Sequence, residues 1–206
     1  MDTQAPLLGE PLPVELMNTI WADRDGAHDA LRDPDGTRAW LRAVSARTDL
    51  LTPADLDALA VPELTGLGDR LIGLRDALRR LAAEATGEPR PAAASDIREL
   101  QEAVAVLNRA AGDTPCWSAL SWTPGEDPAR HARTGGQAAS AVVSAIAEES
   151  IALFSQETRH LLRGCLAPGC VLYFIKQHPR REWCSVSCGS RARSARHYQR
   201  HHKPDA

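Results

Sequence analysis

The chain has 206 residues and a formal net charge of −3, with 43% hydrophobic and 25% charged residues. This composition is typical of a globular protein with one domain of ordinary size and a small second unit. We find no run of about 18 apolar residues, which argues against a membrane span. The N-terminus shows neither a basic nor an apolar signal region, so we expect a cytoplasmic protein.

Charge is distributed unevenly along the chain. Residues 1–158 contain 14 Lys and Arg against 25 Asp and Glu, whereas residues 159–206 contain 10 against 2. The formal charges of the two parts are therefore −11 and +8, and the second part also holds five of the seven histidines. This asymmetry indicates a tail that meets a polyanion and an acidic body that does something else or restrains the tail.

Apolar spacing and capping signals predict three short helices at the start of the chain. Apolar residues at helical spacing predict a helix over 12–21, which a turn at 23–26 terminates. The pairs Asp33-Pro34 and Thr52-Pro53 each combine an N-cap with proline at the first helical position. The helix that begins at Pro53 should end near Ala60, and the helix that begins at Pro34 should bury Trp40, Leu41 and Val44.

Two amphipathic helices follow. Leucines from Leu64 to Leu81 recur three and four residues apart, and the segment that begins at Gly87 ends this helix. Ser95 is the predicted cap of a second helix, whose apolar stripe runs to Ala111. We expect the two helices to pack antiparallel in the core, with a dimerising coiled coil as the alternative.

The pattern then changes to a β-hairpin and a long helix. Residues 116–122 alternate between apolar and polar, residues 123–128 have turn chemistry, and residues 129–134 can return as a second strand. Gly135-Gly136 opens a helix that should reach about Gln156. Residues 159–164 lead directly into the next segment, which predicts a rigid link.

Four cysteines near the C-terminus are spaced as two metal-binding pairs. Cys165 and Cys170 form C-x4-C, a spacer of 13 residues follows, and Cys184 and Cys188 form C-x3-C. In a reducing compartment this spacing predicts a structural zinc site that four thiolates close. Two disulfides or unrelated buried thiols are the alternatives. The fifth cysteine, Cys116, is interpreted as a packed, unreactive thiol.

The residues around the cysteines predict a small finger. Pro168-Gly169 allows a tight turn, residues 171–175 form a strand, and residues 177–181 form a turn. The second pair begins a helix, in the order of treble-clef-like fingers. On this helix small residues face the zinc, while arginines project outward, where they suit phosphate and guanine contacts.

The pattern from Trp183 to Tyr198, Trp-Cys-Ser-x-x-Cys-Gly-x-Arg-x-Arg-x-x-Arg-His-Tyr, resembles the CGNR zinc finger. The opening from Leu7 to Trp21 resembles the start of the ABATE domain of bacterial stress-induced transcription regulators. The resemblance implies a mainly α protein with a small β-hairpin, in which residues 1–158 form an ABATE-like domain and residues 159–206 the finger. It also implies structural zinc on Cys165, Cys170, Cys184 and Cys188. Ser190 stands where the signature has Asn.

These observations predict a transcription regulator that binds DNA through the finger. The alternative is an interaction module that docks on an acidic partner. Catalysis is not expected, because four cysteine ligands leave zinc no open position. A homodimer and a small-molecule effector of the N-terminal domain are further expectations. The candidate DNA contacts are Arg180, Arg181, Arg191, Arg193, Arg196, His197 and Arg200. The candidate effector contacts are Asn18, Trp21, Trp117 and Trp122.

Overall fold

A computed structural model describes residues 5–48, 50–87 and 95–201. These ranges contain seven α-helices and three antiparallel strand pairs. The helices are α1 (Leu12–Met17), α2 (Pro34–Val44), α3 (Pro53–Ala58), α4 (Val61–Thr86), α5 (Leu100–Asp113), α6 (Ala138–Ser155) and α7 (Val186–His201). The strands are β1 (Ile20–Asp23), β2 (Gly26–Asp29), β3 (Cys116–Ser121), β4 (Ala129–Thr134), β5 (Leu162–Gly164) and β6 (Tyr173–Ile175). The prediction of a mainly α protein is therefore confirmed.

Both predicted proline-led caps are present. The Asp33 side chain accepts a hydrogen bond from the Gly36 amide at 2.8 Å, and Thr52 forms a reciprocal capping box with Asp55. These contacts satisfy amides that a first helical turn otherwise leaves unpaired. The helix that begins at Pro34 buries its expected apolar residues, Trp40, Leu41 and Val44.

The first predicted helix is too long. It ends at Met17, and the chain then forms the hairpin β1–β2, in which Trp21 pairs with His28. The residues interpreted as a helix terminator are the turn of this hairpin, where Gly26 has a φ of 125°. Ile20 and Trp21 fit either a helical or an alternating pattern, so apolar spacing alone could not place the boundary.

Helix α4 is the centre of the core. It spans 26 residues, longer than its leucine stripe predicts, and contacts α1, α2, α5 and α6. Arg70 near its start binds Asp113 at the end of α5, and Arg80 near its end binds the Arg98 carbonyl just before α5. The two helices are therefore antiparallel, as expected. The leucine stripe of α4 is buried within the chain at Leu64, Leu67, Leu71, Leu74, Leu78 and Leu81.

The connection after α4 is only partly described. Gly87 ends the helix in a left-handed conformation with a φ of 63°. The rest of the predicted helix-ending segment, residues 88–91, lies outside the described residues. The predicted cap at Ser95 is wrong, because α5 begins at Leu100 and the Ser95 hydroxyl instead accepts a hydrogen bond from the Ile97 amide.

The hairpin β3–β4 forms as expected, with Cys116 opposite Thr134 and Ser121 opposite Ala129. The Cys116 thiol is half-buried and free, and burial raises its pKa. Helix α6 follows and contacts α1, α4 and α5. By length and composition this helix could cross a membrane, which the search for apolar runs did not anticipate. That is weak evidence, since the core helix of a globular protein has the same properties.

The pair β5–β6 joins the finger to the helical domain. Its strands lie on either side of the first cysteine pair, with Leu162 opposite Ile175 and Gly164 opposite Tyr173. Leu162, Tyr173 and Ile175 belong to the same hydrophobic core as α1 and α4. The predicted strand after the first cysteines is therefore present, and its partner is β5.

Candidate metal centre and nucleic-acid interface

The four predicted zinc ligands converge. The Sγ atoms of Cys165, Cys170, Cys184 and Cys188 all lie within 4.8 Å of one another, and all four residues are buried. The Sγ atoms of Cys170 and Cys184 are 3.8 Å apart, and those of Cys184 and Cys188 are 3.4 Å apart. Tetrahedral zinc with Zn–S bonds of about 2.3 Å places its sulfurs about 3.8 Å apart. The donor set and its spacing therefore fit Zn²⁺, and none of these four cysteines forms a disulfide.

Contacts among the sulfurs shift the pKa values of three of the four cysteines in opposite directions. Hydrogen bonds from the thiols of Cys170 and Cys184 lower the pKa of Cys165, and the amides of Cys184 and Ala167 lower it further. The same thiol contacts raise the pKa of Cys170 and Cys184. Zinc binds the thiolate form, so loading the site releases protons. Four sulfur ligands close the coordination shell, which makes zinc here a structural ion.

Helix α7 is attached to the metal centre through its first two turns. Cys188 lies in the first turn, and Arg191 donates a hydrogen bond to the Cys188 sulfur at 3.0 Å. Such a bond offsets the negative charge of a metal-bound thiolate. A Cβ at Gly189 would lie 3.0 Å from the Trp183 ring, so only glycine allows Trp183 to pack this closely. The Gly and Arg of the signature therefore have structural roles.

Three buried polar contacts fix the finger on the helical domain. The Asn18 side chain pairs with both backbone groups of Tyr173, at 2.9 Å and 2.8 Å. The Glu10 carboxylate accepts hydrogen bonds from the Ile175 amide and from Arg181. Arg79 donates to the carbonyls of Met17 and Val171, and its guanidinium lies over the Tyr173 ring.

Arg181, a predicted DNA contact, belongs to this docking network. Its guanidinium bonds Glu10 at 2.6 Å and the carbonyl oxygens of Ile175 and Cys184 at 3.1 Å. It also lies 4.9 Å from the centre of the Phe174 ring. These contacts place Arg181 between the two parts of the chain.

The other predicted DNA contacts are exposed. Arg180 lies in the turn before the second cysteine pair, and α7 carries the rest. At about 100° per residue, Val186, Ser190, Arg193, His197 and Arg200 form one stripe that faces away from the metal. We call these five residues the outward stripe. Arg196 flanks the stripe, whereas Arg191 lies toward the metal side, where it bonds the Cys188 sulfur. No Asp or Glu occurs from Trp183 to the end of α7.

The four predicted effector contacts do not come together. Asn18 is fully buried in the docking network. Trp117 and Trp122 are 53% and 68% exposed and lie in and just after β3. Trp21 lies on β1, stacked against His28. Trp21 was expected on the first helix with Asn18, but α1 ends at Met17, and of the four residues only Trp21 lines the cavity beside the β1–β2 hairpin.

Sequence reasoning missed Glu10, Arg79, Tyr173 and Trp183. Glu10, Arg79 and Tyr173 contact residues that are distant in the sequence. For Arg79, the only signal in the sequence was a charge on an otherwise apolar helix face. Trp183 stands within the finger motif, and its ring packs against Gly189.

A mainly helical domain joined to a closed four-cysteine site defines a zinc-finger protein whose metal is structural. Residues 10–157 match the ABATE family, described as “Putative stress-induced transcription regulator”, and residues 162–201 match the CGNR zinc finger. Since the first match covers more than half of the sequence, the chain belongs to the ABATE family. A search of curated proteins gave no match.

Proposed function

We propose that this protein is a cytoplasmic transcription regulator that binds duplex DNA through the outward stripe of α7. The observation that carries the proposal is an exposed, acid-free helical face, held at a fixed angle by the buried cysteine cluster. Ordinary solvated helices mix charges of both signs, so an acid-free arginine face favours a polyanionic partner. The family description supports regulation as the purpose of that binding.

The geometry suits a helix that enters the major groove. The first residues of a recognition helix usually contact base edges, and here they are the exposed Val186 and Ser190. An apolar side chain at this position can contact a thymine methyl group. Arg193 and Arg200 continue the same stripe, where a guanidinium can bind guanine or phosphate. Arg180 and Arg196 lie beside it and suit phosphate contacts.

The docking network supports a role for the helical domain in positioning the finger. Because Glu10, Asn18 and Arg79 hold the finger, a change in the domain can alter the position of α7. We therefore assign the domain the response to a small-molecule effector. A homodimer would present two α7 helices to successive half-sites, and the exposed Leu120 and Trp122 of the β3–β4 hairpin provide an apolar surface for it. Zinc takes part in no reaction in this proposal.

One alternative has a specific observation in its favour. The finger already docks on an acidic residue, Glu10, through Arg181. A second acidic protein could bind the outward stripe in a similar way. The two functions predict different competition, because a duplex offers phosphates at fixed spacing and base edges, whereas an acidic protein offers carboxylates alone.

The test begins with zinc stoichiometry on purified protein, where one zinc per chain is expected. Sites are then selected from random duplex DNA at physiological salt. An enriched sequence supports the proposal, and an enriched palindrome also indicates a dimer. Equal affinity for heparin, an acidic protein and every duplex would contradict it.

A matched pair of variants controls for charge. Arg193→Ala removes a charge from the outward stripe, and Arg109→Ala removes one from the exposed face of α5. Only the first should weaken binding to the selected duplex. Equal weakening by both would show that net charge, not the stripe, determines binding.

A further inference from the structure

The helical domain contains a cavity that the DNA-binding proposal does not use. It has a volume of about 970 Å³ and lies between the β1–β2 hairpin and α2. Its apolar wall includes Leu7, Ile20, Trp40 and several alanines, and its rim includes Arg32, Asp33 and Asp35. Cavities of this size, with an apolar wall and a few polar groups, are typical small-molecule sites.

An aromatic stack forms one wall. The rings of Trp21 and His28 lie 5.1 Å apart at an interplanar angle of 21°. The His28 Nε2 is also 2.9 Å from an oxygen of Asp23, which holds the imidazole in place. A flat wall fixed in this way favours a flat aromatic ligand, because stacked rings gain contact over their whole faces.

The charge of the lining favours a cation. Asp29 is neutralised by Arg75, which binds both carboxylate oxygens at 2.6 Å and 2.9 Å. Asp33 caps α2, while Arg32 and Asp35 are exposed and make no hydrogen bond or ion pair with the described part of the chain. The rim therefore carries two carboxylates against one guanidinium. Tryptophan faces also attract cations.

We propose that this cavity binds a flat aromatic cation and that Trp21 transmits its presence to the finger. Trp21 lines the cavity, and it also packs against the buried cluster that contains the four cysteines. One side chain thus contacts both sites, and a ligand that shifts it changes the packing of the metal centre. The binding site stands independently, whereas an effect on DNA affinity rests on the proposed function.

Two matched probes test the preference for a cation. 2-Naphthylmethylammonium and 2-naphthoate have the same ring and opposite charges. The zinc-loaded full chain is titrated with each, and the indole N–H signals of its five tryptophans are followed by NMR. The cation should shift the signals of Trp21 and Trp40 saturably, and the signal of Trp183 on the finger should move with them. Trp117 and Trp122 should not respond.

Several results would overturn the proposal. Equal response to naphthoate would refute the preference for a cation, and response at Trp117 or Trp122 alone would place binding on the hairpin. No shift at about millimolar probe would refute the site itself. A shift of Trp21 without one of Trp183 would refute transmission to the finger.

Variants with controls locate the site. Ala39→Phe fills the cavity from α2 and should weaken cation binding at least about tenfold, whereas Ala54→Phe on exposed α3 should not. Asp35→Asn should weaken it about threefold to tenfold, and Asp69→Asn on the exposed face of α4 should leave it unchanged. Equal effects within either pair would contradict the assignment.

The effect on DNA affinity has a separate test. If the probe binds and shifts Trp183 while affinity for the selected duplex is constant, the proposed regulation of DNA binding fails and the binding site stands.

Discussion

Glu10→Ala should break the contact that holds the finger on the helical domain. Glu10 is 1% exposed, and its carboxylate accepts hydrogen bonds from Arg181 at 2.6 Å and from the Ile175 amide at 3.0 Å. The substitution leaves the Arg181 guanidinium, whose side chain is only 27% exposed, without its counter-charge. Removal of one partner of a buried pair costs about 3–5 kcal/mol.

A double-mutant cycle measures this coupling. Glu10→Ala, Arg181→Met and the double variant are unfolded in urea in the presence of zinc, with circular dichroism and tryptophan fluorescence as probes. Since the double variant leaves no unpaired charge, it should be more stable than the sum of the single losses predicts, by about 1–3 kcal/mol. Additive losses would refute the docking contact. The exposed pair Arg42–Asp57 is the control, and Asp57→Ala should cost less than about 1 kcal/mol.

Three further predictions concern the metal, the DNA and pH. Cys184→Ser should lower zinc content, measured by metal analysis, and loosen α7, while amide exchange in β6 stays slow because that strand lies in the domain core. Arg193→Ala and Arg196→Ala should each reduce the slope of log affinity against log salt by about 1, and an unchanged slope in both would place the DNA elsewhere. Burial raises the pKa of Glu15, so its contribution to stability is present below its unfolded pKa and is lost as pH rises through the folded value. Urea titrations from about pH 5 to about pH 7 should therefore show wild type losing stability relative to Glu15→Gln, and parallel curves would contradict this.

Local chemistry predicted much of the fold. A cap such as Asp33 or Thr52 acts within three residues, so the sequence contains the whole interaction. The leucine stripe of α4 and the cysteine spacing were predictable for a similar reason. A single helical face fixes the spacing of the leucines, and a single metal ion fixes the spacing of the cysteines. The four cysteines were found in this way, and the structure brings them together as expected.

The docking of the finger could not be predicted in the same way. Asn18 and Tyr173 are separated by 155 residues, and Glu10 and Arg181 by 171. Arg181 lies in the turn before α7, where helical projection does not apply, so no local pattern separated it from the exposed Arg180. The predicted first helix contained both Asn18 and Trp21, whereas the structure places Trp21 on β1 and buries Asn18 in the docking network.

The attachment of α7 gives it the mechanics of a lever. The helix has 16 residues, which makes it about 24 Å long, and the zinc cysteines hold only its first turn. A tilt of about 5° at the metal would displace the far end by about 2 Å, more than a hydrogen bond to a base tolerates. Small movements at Trp21 or Glu10 would therefore be amplified along α7, and the residues near Arg200 would register them most strongly.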